Sequence, residues 1–471
     1  MRPALAPVGA LVGLCLGGAP ARAASLDNLE VGGAWGTPAA NDGAAVWWNP
    51  AGIAAGEGTR IVIEGAPTFA VIDIVRADPH GGEDKLTLQG VVPFAGVATD
   101  LGVKGLGLGV GVGAPYVRGG EQTPEGGPVR YHLREGHVQV AAILAGAGYE
   151  WKDKIALGAG LQVYRSSWAA RVDNELMTDL SEEILALGQD PGYTDADLEN
   201  EDYAATLDFQ ELTDWATGFS VGLRVQPVPE LALAATWIHG FHVDNQGDVT
   251  LDFGCPPQSD TLGRFGAESR GLCDTTMEGA ATVSYDMPAR LHGGVQVAPV
   301  PELLIEAMGG AVFWKAHVDY DITISEIGAR NPEVPEETVE LVERNQLWAR
   351  DNRNTFWLGL DTKGTIRERI TLGGRVLYDR AAVPDAALIA NNFDANTVIL
   401  GGLVAGRPIE RLELGLSWSH YFLQTREVTD SAFRMNVVPE DRTEARYSYP
   451  HGNGSYGGSI DRLGLSARVM L

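Results

Sequence analysis

From Arg60 to Leu471 the hydrophobic residues recur at every second position rather than at helical spacing. The clearest run sets Leu412, Leu414, Leu416 and Trp418 against Glu413, Gly415, Ser417 and Ser419. Ile155, Leu157, Ala159, Leu161 and Val163 alternate in the same way with Gly158, Gly160 and Gln162. So do Phe219, Val221, Leu223 and Val225 with Ser220, Gly222, Arg224 and Gln226. A period of two predicts strands with one oily and one polar face. A single strand does not say whether its oily face meets a soluble core or lipid.

The connections decide between the two. Short polar turns fall near residues 100–104, 151–154, 227–230, 298–302, 363–368 and 406–411. Between them, in strict alternation, lie long polar connections near 73–85, 118–130, 173–205, 252–279, 325–351, 381–395 and 429–457. Six short and seven long connections join 14 strands. An even strand number with every long loop at one end is the layout of an outer-membrane barrel, and closure removes the edges on which long glycine-rich strands would aggregate. The predicted fold is all-β, a 14-stranded antiparallel transmembrane β-barrel over residues 60–471.

Two segments precede the barrel. Residues 1–23 read as a cleaved signal peptide: Arg2, an apolar run over 4–18, then Ala21-Arg22-Ala23 as a small-x-small cleavage site. Residues 24–59 do not alternate; they carry small residues, three Trp and few charges. Such a stretch is too short to fold alone and too apolar for a free tail, and the lumen of a 14-stranded barrel needs filling. It is therefore predicted to be an N-terminal hatch inside the lumen. Within it, Asn49-Pro50-Ala51-Gly52 reads as a tight turn: Asn favours turns, Pro50 pushes Asn49 out of helical space, and Gly52 permits a reversal.

Composition narrows the partners. The 471 residues include 60 Gly and hold 35 Lys+Arg against 62 Asp+Glu, a formal net charge of −27, which excludes nucleic acid as a partner. Beyond the N-terminus no apolar stretch reaches the length of a membrane-spanning helix. An exported chain keeps Cys255 and Cys273, 18 positions apart. That spacing points to one disulfide closing a local loop, ahead of two free thiols or a metal pair lacking its other ligands.

Several motifs point to a family. Asn49-Pro50-Ala51-Gly52 lies shortly before the first strand, and Gly113-Ala114-Pro115-Tyr116 follows a glycine-rich third strand. Met287-Pro288-Ala289-Arg290 is placed at the opening of the eighth strand, Val383-Pro384-Asp385 in the loop before the twelfth, and Gly454-Ser455-Tyr456 before the last. With them the chain resembles the FadL-type outer-membrane transporters of long-chain fatty acids and aromatic hydrocarbons. The resemblance implies a barrel plugged by an N-terminal hatch, in the outer membrane of a Gram-negative bacterium, that takes up a hydrophobic small molecule without an energy source. It also implies that a kink in the third strand opens the wall sideways. Gly109, Gly111, Gly113 and Pro115 are the residues expected there, since strand glycines mark bends and Pro removes a ladder donor.

The residues suggest no enzyme and no cofactor. Asn453-Gly454-Ser455-Tyr456-Gly457 lacks the first glycine of a nucleophile elbow. Arg224, Arg290, Arg375, Arg462, Glu306 and Glu413 are expected to face the lumen, mostly as structural pairs, with at most one or two Arg meeting a ligand carboxylate. The stretch 173–202 holds 11 acids and no Lys or Arg. Within it Asp195, Asp197, Glu199 and Glu201 alternate, so they are either a solvated acidic loop or a weak Ca²⁺ site. The expected function is passive uptake of hydrophobic small molecules by a monomer among outer-membrane lipid and lipopolysaccharide; a general porin for polar solutes or a barrel lipid hydrolase are the alternatives.

Overall fold

The computed structural model describes residues 27–471 apart from 78–80, 434–450, 176–203 (where only Gly192 and Glu199 are described) and single positions within 257–274 and 333–345. The expected signal peptide therefore lies outside the described residues.

The alternation becomes fourteen strands: β1 (Thr59–Arg76), β2 (Glu83–Thr99), β3 (Leu106–Gln122), β4 (Glu135–Trp151), β5 (Ile155–Glu175) and β6 (Ala204–Val228), then four strands in two segments each. Those four are β7 (Leu231–Ile238, Phe241–Phe253), β8 (Thr275–Met287, Arg290–Val300), β9 (Leu303–Val312, Asp319–Ala329) and β10 (Gln346–Ala349, Thr355–Ile366). The wall continues with β11 (Ile370–Asp379), β12 (Thr397–Ile409), β13 (Leu412–Val428) and β14 (Gly454–Met470). Each strand pairs antiparallel with its neighbours, and β14 pairs back onto β1 from Arg60↔Met470 to Arg76↔Gly454, so the sheet closes without an edge.

Burial along the strands is the reverse of that in a soluble protein. On β13 Leu414, Leu416 and Trp418 are each half exposed, whereas Glu413 is 2% exposed. The oily faces thus point outward to lipid and the polar faces into the lumen. No helix among the described residues is long and apolar enough to cross a membrane. The crossing is made by strands.

Two details differ from the sequence reading. The first long connection shrinks to residues 77–82, because β1 and β2 stay paired out to Val75↔Glu83. Met287-Pro288-Ala289-Arg290 does not open the eighth strand; it interrupts it, because Pro288 has no N–H to continue the ladder. The breaks in β7, β9 and β10 follow at 239–240, 313–318 and 350–354. Cys255 and Cys273 are joined in the connection between β7 and β8. Closing that loop constrains the unfolded chain by about 3 kcal/mol in the loop-entropy picture.

Candidate functional site

The hatch fills the lumen from residue 27 to the start of β1. It holds a four-residue helix, Ala45–Trp48, and two 3-10 turns, Gly33–Trp35 and Pro50–Ala54. All of Ala45–Trp48 is buried, and the Trp48 indole donates to Val31 O at 2.7 Å. The turn Asn49–Ala54 lies on a floor of inward-facing glycines. A Cβ on Gly158 would stand 2.2 Å from Pro50 C, one on Gly222 2.0 Å from Asn49 Oδ1, and one on Gly107 2.5 Å from Ala54 N. Asn49 closes the turn: its Oδ1 accepts from Ala51 N at 3.0 Å, and its Nδ2 donates to Leu223 O of β6 at 3.1 Å. Ala51 and Gly52 are buried beside it.

The lumen charges face inward, and most are paired with the hatch or with each other. Arg462 reaches Glu64 at 3.0 Å and Glu30 of the hatch at 3.8 Å. Arg375 pairs with Asp361 at 2.7 Å and donates to Gly33 O and Gly36 O, each at 3.1 Å. Glu413 accepts from Thr371 and pairs with Arg468, which reaches Asp42 of the hatch at 3.0 Å. Glu306 accepts from Ala39 N at 3.0 Å. Arg290 pairs with Asp27. Arg224 is the exception: it donates to the Gln226 amide at 2.8 Å and meets no carboxylate among the described residues.

β3 is broken, but beyond the glycines. Leu106 to Gly113 pair regularly with β4, and Thr99↔Leu108 to Phe94↔Gly113 pair regularly with β2. Gly109 and Gly111 serve the hatch instead; their Cβ positions would meet Ile53 Cδ1 at 3.1 Å and Val46 Cγ1 at 2.7 Å. Pairing with β2 then lapses until Thr87↔Gln122. Against β4 the register shifts twice, between Gly113 and Tyr116 and between Arg118 and Glu121, so Pro115 and Gly120 (φ +62°) each fall in a β-bulge. The freed carbonyls are taken by the hatch: Asn28 N donates to Pro115 O at 2.9 Å and Asn28 Nδ2 to Ala114 O at 3.1 Å. Arg290 Nε donates to Tyr116 Oη at 3.1 Å and holds the same corner.

Above the hatch lie two adjoining cavities. The outer one, 220 Å³, is lined by Tyr131, His132, Trp348, Arg350, Ile389 and Phe433 among others. The inner one, 30 Å³, lies between Arg118 of β3, Trp314, His317 and Asn352 of the β9 and β10 breaks, and Tyr320 just beyond the β9 break. Arg350 and Asn391 border both. The connection 380–396 folds inward to roof them, held by Arg426 on Val383 O and Asp394 O and by Asp394 on Ala382 N and Val383 N. Burial pushes the Asp394 carboxyl up to about 6, against the backbone donors that pull it down. Burial pushes the His132 ring down to about 3. A larger trough of 620 Å³ runs on the outer wall over β2–β5, lined partly by the exposed Leu108, Val110 and Leu161.

No family model and no curated protein matches the sequence. Solved structures do. A Pseudomonas aeruginosa FadL homologue superposes with a TM-score of 0.73 over 96% of this chain and 99% of its own, at 14% identity. The chain has the FadL-type fold. The P. putida toluene transporter TodX matches with a TM-score of 0.62 over 91% of this chain and 94% of its own, at 14% identity. The Ralstonia pickettii toluene transporter TbuX gives 0.59 over 94% and 99%, at 15% identity.

Within this FadL-type fold the structure separates the expected residues into groups. Asn49, Pro50, Ala51 and Gly52 lie at the hatch floor, Pro115 in the β3 break, and the lumen charges around the hatch. Of the acidic set only Glu199 is described, and it pairs with Arg76 at 2.9 Å; Asp195, Asp197 and Glu201 lie outside the described residues. No group of three or more metal-binding side chains occurs among the described residues. Sequence reasoning missed Arg118, His317, Trp348 and Arg350. The signal available for Arg118 was its place three residues after Pro115; Trp348 and Arg350 were hidden in a long polar connection, and His317 in a stretch read as continuous strand that the structure breaks at 313–318.

Proposed function

We propose that this chain is an outer-membrane passive transporter of hydrophobic small molecules, of the long-chain fatty acid or hydrocarbon class, with sideways exit at the β3 break. Its domains are then an exported leader at 1–23, the hatch at 24–59 and the barrel at 60–471. The observation that carries the reading is the hatch seated in the barrel together with the lapse of β2–β3 pairing, whose inner side Asn28 covers. A hatch anchored by Arg462, Arg375 and Arg468 leaves a poor aqueous pore, which disfavours a general porin. Ala66, Val92, Ala114 and Val117 form a small apolar cluster at the break, a lining suited to a greasy ligand. The path runs from the outer cavity past Arg118 to the Tyr116–Asn28 corner, then out between β2 and β3. The solved relatives named as toluene transporters support the hydrophobic class.

Planar-bilayer recording with a parallel toluene-uptake assay in whole cells tests it. Low conductance with saturable uptake is expected; a steady large conductance without hydrophobic uptake would overturn it. Asn49→Ala leaves the buried Ala51 N without its side-chain acceptor and cuts the hatch's bond to the β6 wall at Leu223 O, a cost of about 1–3 kcal/mol. It should lower uptake several-fold while the heat-modifiable mobility of the barrel on gels stays unchanged. Equal uptake at normal surface abundance would reduce the motif to a linker.

A further inference from the structure

We infer that the outer cavity seats a small aromatic monocarboxylate, its ring among Tyr131, Trp348 and Phe433 and its carboxylate on Arg350. The inference rests on the uptake reading above and names a ligand class for one station on that path.

Three observations carry it. The first is size. A volume of 220 Å³ exceeds the roughly 150 Å³ of a protein cavity known to hold benzene and falls below the roughly 300 Å³ at the small end of pockets for drug-sized ligands. A single ring with a short substituent fits; an extended acyl chain does not.

The second is charge. Arg350 is 5% exposed, yet no carboxylate among the described residues lies within ion-pair distance of it. Its Nη1 donates to Asn391 O at 3.0 Å and to Asn391 Oδ1 at 3.3 Å, and its guanidinium lies 4.2 Å from the centre of the Tyr320 ring. Arg118 across the inner cavity shows the contrast: its Nε pairs with Glu121 at 2.6 Å, and its other nitrogens donate to Phe393 O and Ala390 O. Those neutral partners leave the buried charge itself uncompensated, and such a charge is strongly disfavoured unless an anion joins it. Asp351 also borders the cavity, but it is exposed to water, whereas Arg350 is on the enclosed side.

The third is hydrogen bonding. Arg350 Nε and Trp348 Nε1 are both buried donors with no partner among the described residues. Both residues line the cavity, so the unused donors belong to its own lining, and a carboxylate that draws them in satisfies them where a hydrocarbon cannot.

Titration calorimetry of the full-length protein in detergent, with benzoate and with toluene as matched probes, decides the question. Benzoate should bind about tenfold or more tighter than toluene, and Arg350→Gln should lower the benzoate-to-toluene affinity ratio by about tenfold. Trp348→Phe keeps the ring and removes one donor, so it should lower the ratio about threefold. Toluene binding as tight as benzoate in the unaltered protein overturns the inference whether or not the variants fold, as does a ratio unmoved by either substitution. If benzoate fails while toluene uptake persists, only the anion seat falls; if no hydrophobic compound is taken up, the transport reading itself falls.

Discussion

Replacing Gly158 by valine will unseat the hatch without opening the barrel wall. The added Cβ would lie 2.2 Å from Pro50 C, 2.3 Å from Ala51 N and 2.4 Å from Pro50 O, all of them backbone atoms. A flexible side chain could turn aside; a proline-fixed turn cannot. Overpacking of this kind costs about 1–3 kcal/mol when neighbours can shift, and more where they cannot. The wall around Gly158 does not share the strain, because β5 is paired to β4 through Gly148↔Gly158 and to β6 through Gly158↔Gly222. Single-channel conductance should therefore rise several-fold and the hatch become open to protease, while unboiled protein still migrates as a folded barrel. Gly402→Ala is the control, since no atom lies within 4 Å of its Cβ position. A Gly158→Val protein with unchanged conductance and a protected hatch would show that the glycine floor does not seat Asn49–Ala54.

The same contact shows how far the sequence can be read. The glycines of β3 to β6 stood out as the polar-face members of a two-residue alternation, and alternation is a local property of the chain. What each glycine faces is not local. The floor is built by four strands, β3 to β6, against a segment that ends just before β1, so its geometry exists only once the barrel has closed. Arg462 and Glu413 were legible for the same reason as the glycines: each is a charge on the small, polar face of its strand. The hatch carboxylates were not: Glu30, which meets Arg462, and Asp42, which meets the Arg468 that pairs with Glu413, lie in a segment with no periodicity to orient them.

Arg350 shows the other limit. It falls at the edge of a long polar connection, where a pattern reading expects solvent, and the structure buries it because β7 to β10 all interrupt near one level. Such breaks depend on the register between neighbouring strands, which no single strand's sequence specifies when its inner face is small and polar. Only Pro288 announced one of them.

Register also supplies the strongest test of sideways exit. Between Phe94↔Gly113 and Thr87↔Gln122, β3 advances nine residues while β2 advances seven. The two extra residues are the two bulges, since β3 advances three from Gly113 to Tyr116 and three from Arg118 to Glu121 while β4 advances two each time. Deleting Pro115 and Gly120 together removes one residue from each bulge. Tyr116, Arg118 and Glu121 then keep their inward parity, and β3 can pair with β2 and β4 without a gap. The deletion also removes a residue that lacks an N–H and one at φ +62°, so the chain is relieved of its two least strand-like positions. The barrel should fold at least as well as before and give the same mobility shift on heating. Toluene uptake should fall about tenfold or more, because a continuous ladder of backbone hydrogen bonds leaves no opening between β2 and β3. Ligand binding in the cavities above should persist, since their linings at Trp348, His317 and Phe433 are untouched. Uptake that survives in a folded double-deletion protein would move the exit from the wall to the hatch. In that case the Gly158→Val protein, with its hatch displaced, should transport faster than the unaltered chain rather than losing selectivity.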